Sequence, residues 1–163
     1  MKMVFIGLSR PRKWKPFSWL QRAWFRKPYS HVYFRWTTSW GHDEIYEANG
    51  RHLRFMGGDH WHKDNRIVRE WEFKIDRKTF HGVFLKHFTA EAGRAYGFTQ
   101  LIGMAIAIVF KMHRNPFGDG AQTLVCSEEA TRWISMLGIP PINKPRDMIV
   151  PADIEKHLDD NSQ

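Results

Sequence analysis

The chain of 163 residues has one cysteine, so it forms no disulfide within itself. That leaves a reduced compartment or a free reactive thiol as the two settings for Cys126. The start, Met1 to Leu8, carries one lysine and a very short apolar run, too little for a signal peptide. The most apolar stretch, Phe98 to Met112, falls well short of the roughly 20 residues a membrane-spanning helix needs, which predicts a buried helix instead. A cytoplasmic or virion-associated protein with no transmembrane segment is therefore expected. Repeats, low-complexity tracts, phosphate-cradling glycine loops and dinucleotide fingerprints are all missing, so no nucleotide cofactor is expected.

What is present is apolar and basic. A hydrophobic fraction of 42% and an aromatic fraction of 15% suit one globular domain spanning 1–163, with enough material for a core. The net charge of +8 and pI near 9.8 predict attraction to something anionic, be it nucleic acid, an acidic cell-wall polymer or a membrane surface.

The stretch Thr123 to Gly138 reads as a helix. Val125, Ala130, Trp133, Ile134 and Leu137 recur at helical spacing, Gly138 supplies the stop, and Pro140 and Pro141 prevent continuation. Cys126 then lies in the first turn, where unpaired backbone N–H groups and the positive end of the helix dipole favour a thiolate. A lone cysteine is more often a small buried hydrophobe, so the catalytic reading needs partners.

Upstream, Pro28 to Trp36 and Asp43 to Ala48 have strand character, and Thr37 to His42 reads as the turn joining them in a hairpin. A loop centred near Ser39 sets His31 opposite Glu47. Alternation puts His31, Tyr33 and Arg35 on one face and Val32, Phe34 and Trp36 on the other. In that register His31 can accept the thiol proton of Cys126 while Glu47 orients the imidazole.

The order Ser30-His31-Val32, then Ile45-Tyr46-Glu47-Ala48, then Val125-Cys126-Ser127-Glu128 at a helix start, then Leu137-Gly138-Ile139 and Val150-Pro151-Ala152-Asp153-Ile154, resembles the circularly permuted branch of the NlpC-type papain-like cysteine hydrolases. Proteins similar to lecithin retinol acyltransferase are distant members. The resemblance covers nearly the whole chain. It implies Cys126 as nucleophile, His31 as general base and Glu47 as the orienting residue, with acyl transfer or hydrolysis at amide or ester bonds. It also implies an α+β, papain-like fold with a central antiparallel sheet packed against the helix led by Cys126. Cell-wall peptides are the first substrate expectation and lipid esters or thioesters the second. In similar proteins a tyrosine lies close to the cleft before the preceding helix, which makes Tyr96 a candidate for lining the substrate site. The rival reading is a non-enzymatic structural or binding component, such as a phage-particle protein contacting other virion proteins, in which the basic aromatic surfaces do the work.

Elsewhere the pattern predicts a strand over Met3 to Leu8 and a helix over Pro16 to Arg26. That helix would pack Phe17, Leu20 and Trp24 against the sheet while its basic residues face water; the alternative is a surface that grips nucleic acid or an anionic membrane. Strands are expected over Arg51 to Met56 and Arg66 to Asp76, the second with Ile67, Trp71, Phe73 and Ile75 on one face, and a turn over Gly57 to Asp59. One or two helices should fill Thr79 to Ala95, His113 to Gly120 should be a loop, and a last helix should begin near Pro151, with Asp159 to Gln163 frayed. His60 and His62, two apart on an extended segment, could join His42, His52 and Cys126 around zinc. No compact Cys/His spacing supports that, so no metal is expected.

Overall fold

The computed structural model describes residues 1–48, 50–95, 97–117 and 125–161. It is an α+β arrangement around one five-stranded antiparallel sheet in the order β4-β3-β2-β1-β5. The strands are β1 (Lys2–Pro11), β2 (His31–Thr37), β3 (Asp43–Ala48), β4 (Leu53–Gly57) and β5 (Asn65–Ile75). Helix α1 (Pro16–Phe25) links β1 to β2, and α2 (Gly58–Asp64) links β4 to β5. After β5 comes a continuous helical stretch: α3 (Arg77–Thr79), a π-helical segment (Phe80–Leu85) and α4 (Lys86–Glu91). Then follow α5 (Phe98–Val109), α6 (Cys126–Met136) and α7 (Pro151–Asn161).

The alternation in β2 decides the layering. Val32, Phe34 and Trp36 point into the main core, where Phe34 packs on Phe84, Phe88 and Trp133 with ring centroids 5.3, 4.9 and 5.6 Å away. Each such fully buried ring contributes about 1.5–3 kcal/mol from burial. Ala130, Trp133 and Ile134 bring α6 to this face across β2 and β3, and Ile154 and Leu158 bring α7. On the opposite face Tyr33 and Ile45 are buried under Trp61 of α2.

Tyr33 reaches across β1 to donate its hydroxyl to Glu70 at 2.7 Å, and only glycine permits the crossing. A Cβ on Gly7 would lie 2.2 Å from Tyr33 Cζ. Arg35 closes the same outer cluster, bonding Glu70 through Nε and Nη2 and Asp43 through Nη1.

Several expectations need correction. Tyr33, not His31, stands opposite Glu47, because the hairpin turns between Thr38 and His42 and is centred one residue later than Ser39. The faces are kept and only the diagonal changes. Gly57 to Asp59 is no turn, since Gly58 starts α2; His60 and His62 therefore sit on a helix, where residues two apart diverge. A bulge opposite Leu8 and Ser9 breaks the alternation of β5, so Ile67 joins the Tyr33 cluster while Trp71 and Phe73 face the main core.

Helix α1 packs Phe17 inward as expected, but not Leu20 and Trp24. Trp19, Leu20 and Trp24 are 53%, 52% and 52% exposed, and Ser18, Gln21 and the edges of Phe17 and Phe25 turn inward. Helix α5 is only half covered: Leu101, Met104 and Ala107 are buried, whereas Ile102 and Val109 face water. Asp159 is not frayed, because it accepts from Arg69 and from the indole of Trp71 within the last helix's packing.

Candidate active site

Helix α6 opens at Val125, whose backbone N–H donates to Glu128 Oε2 at 3.2 Å, half of a capping box. Ser127 Oγ donates to the Ile149 carbonyl and pins that end of the helix. Gly138, in a left-handed conformation with φ of 76°, ends the following turn. These contacts fix Cys126 as the first helical residue, 4% exposed, on the core side of β2.

His31 opens β2. Its Nε2 faces Glu47 Oε2 at 3.0 Å, diagonally across the strand pair, and the imidazole also interacts with the Cys126 thiol. With Nε2 turned to Glu47, Nδ1 is the nitrogen left for sulfur. Burial pulls the His31 pKa down, but the bonds to Cys126 and Glu47 outweigh it and raise it from 6.5 to about 10. Burial likewise pushes the thiol up, and His31 together with the N–H groups of Val32 and Ser127 brings it below its ordinary value. Both shifts run toward a thiolate beside an imidazolium and away from the neutral pair.

Glu47 is almost wholly buried and every part of its carboxylate is occupied. Oε2 accepts from His31 and from Trp61 Nε1 at 2.7 Å, and Oε1 accepts from Arg54 Nε and Nη2 at 3.1 and 2.7 Å. Burial raises its pKa, and these donors more than reverse that, from 4.5 down to about 2. A buried carboxylate with four donors is held ionised and cannot rotate, so it fixes the ring it faces.

The structure thus brings Cys126, His31 and Glu47 together. Tyr96 lies outside the described residues. Sequence reasoning misses Trp61 and Arg54; the signal for Arg54 is its place opposite Glu47 on β4, but Trp61 comes from α2, where the sequence suggests a turn over Gly57 to Asp59 and an extended segment at His60 to His62.

His31 and Glu47 border a cavity of about 580 Å³. One side comes from the β1–α1 connection and α1 itself, through Lys15, Phe17 and Gln21, and another from Arg51, His52 and Arg54. His31 borders this space, whereas Cys126 belongs to the main core. Among the described residues no three His, Cys, Asp or Glu side chains converge as a metal shell, and His42, His52, His60 and His62 do not gather around Cys126.

The chain matches no model of a known protein family, and no curated protein matches it.

Proposed function

We propose that the chain is a thiol acyl hydrolase or acyltransferase of permuted, NlpC-type papain-like design, with Cys126 as nucleophile, His31 as general acid and base, and Glu47 as the residue that orients His31. The observation carrying this reading is the contact of His31 with both the Cys126 thiol and Glu47, which poises an ion pair at the first turn of a helix.

The Cys126 thiolate attacks the acyl carbonyl carbon, and the carbonyl π electrons move to oxygen. Backbone N–H groups at the open start of α6, including that of Cys126, stabilise this oxyanion without reorganising. The C–N or C–O bond then breaks, the leaving amine or alcohol takes the His31 proton, and an acyl thioester remains on sulfur. Water or an acceptor hydroxyl, deprotonated by neutral His31, attacks the thioester and restores the thiolate and the imidazolium. Arg54 is paired with Glu47 and Asp64 also lines the cavity, so Lys15 and Arg51 leave a small positive balance that favours an acyl donor carrying negative charge, which suits cell-wall peptides first and lipid esters second.

Reaction with an activated ester such as a p-nitrophenyl acylate tests the proposal: intact mass spectrometry should show one acyl group on Cys126, absent in Cys126→Ala. No adduct and no thiol-dependent release of p-nitrophenol would overturn it.

A further inference from the structure

Helix α1 is amphipathic in the wrong sense for a helix lying on a protein. Its inward arc carries Ser18, bonded to Ser30 Oγ at 2.6 Å, together with Gln21 and the edges of Phe17 and Phe25. Its outward arc, at positions i, i+3, i+4, i+7 and i+8, is Pro16, Trp19, Leu20, Ala23 and Trp24, all exposed and none of them polar. Trp14, just before the helix, is 71% exposed as well. Helix α5, which shares a small apolar cluster with Phe17 and Phe25, repeats the pattern: Ile102 and Val109 face outward and Phe110 beyond them is 72% exposed.

The segment that carries α1 has charge of one sign, and the acidic groups near it come from elsewhere in the fold: Glu155 pairs with Lys27, and Asp64 borders the cavity. Lys13, Lys15 and Arg26 flank its apolar arc and are exposed, and the chain has no Asp or Glu before Asp43. An apolar stripe bearing tryptophan and leucine, bracketed by cations, is the signature of a helix lying in the headgroup region of a bilayer. No helix among the described residues is long and apolar enough to cross a membrane, so contact through these two helices would be along the surface.

We propose that the outward face of α1, with the exposed side of α5, docks on an anionic lipid bilayer. Trp19, Leu20 and Trp24 enter the interface, and Lys13, Lys15 and Arg26 meet lipid phosphates. A nucleic acid fits less well: Pro16, Leu20 and Ala23 offer no aromatic face on which a base could stack, and the outermost arc holds no cation for a phosphate. A second copy of the chain would bring two basic flanks together. The inference does not rest on the chemistry proposed for Cys126, although Lys15, Phe17 and Gln21 of the same segment border the cavity beside His31 and would hold its mouth near the membrane.

Co-sedimentation tests it, using vesicles of phosphatidylcholine alone and of phosphatidylcholine mixed with phosphatidylglycerol. The chain should pellet with the mixed vesicles, and added salt should weaken the binding. Replacing the three arc residues together (Trp19→Ser, Leu20→Ser, Trp24→Ser) should lower partitioning at least about tenfold, with circular dichroism and thermal melting as wild type. If that variant loses its fold, Leu20→Glu alone should still weaken binding. Cys126→Ser should bind as wild type, which separates this surface from the catalytic reading. The proposal is overturned if the wild-type chain leaves the mixed vesicles unbound, if the folded variants bind equally well, if single- or double-stranded DNA is bound in preference to the vesicles, or if the arc substitutions dissolve a dimer that does not bind vesicles.

Discussion

Trp61 donates its indole N–H to Glu47 Oε2 at 2.7 Å, and that is the same oxygen that faces His31 Nε2. The two donors share one acceptor atom, so the carboxylate cannot turn toward either without being held by the other. Trp61 is therefore a positioning residue acting through Glu47. Trp61→Phe keeps an aromatic ring packed against Tyr33 and removes one charge-assisted hydrogen bond, at a cost of about 1.5–3 kcal/mol in stability. It should also move the pH midpoint for alkylation of Cys126 upward, a change that lost packing alone would not produce. Urea unfolding and pH-resolved labelling of the variant check both halves.

Glu47 gives a signed pH dependence. Its folded pKa lies near 2 against 4.5 unperturbed, so the unfolded chain binds more protons in that window and the residue's stabilisation is lost as pH falls through it. Above the window the contribution is about 3 kcal/mol. Glu47→Gln should therefore be less stable than wild type at neutral pH, and the gap should narrow as pH is lowered from about 4.5 toward 2. Denaturant melts of both proteins across that range measure it, and a gap independent of pH would exclude the ionised carboxylate as its source.

Gly7 is required by the Tyr33 ring that crosses it. With a Cβ placed 2.2 Å from Cζ, Gly7→Ala must displace a ring held by Glu70 on one side and Trp61 on the other. Overpacking of this kind costs about 1–3 kcal/mol. Gly82→Ala, where an added Cβ meets nothing within 4 Å, should be neutral or slightly stabilising and serves as the control. Equilibrium urea unfolding of the two variants distinguishes a local clash from a general intolerance of alanine.

The strands of His31 and Glu47 and the helix led by Cys126 were legible because each is announced by local chemistry: period-2 alternation, a first-turn position, and a glycine stop. The hairpin register was off by the placement of its turn, which depends on how Thr38 bonds His42 and not on strand residues. Helix α2 was hidden because Gly57 and Gly58 look like a turn, and a seven-residue helix has too little periodicity to contradict them. Trp61 was lost with it. In α1 the apolar spacing was visible, but periodicity identifies a face without saying which side is covered; the inward side was decided by Ser18 meeting Ser30 and by the cluster around Leu101.

The most direct test of the ion pair is the rate of iodoacetamide labelling of folded protein across pH, for wild type and His31→Ala. A thiolate held by His31 predicts reaction of the wild type with a midpoint well below the free-cysteine value of about 8.5, flat through neutral pH, and a midpoint at or above 8.5 in the variant. Slow labelling with an ordinary midpoint, unchanged when His31 is removed, would contradict it.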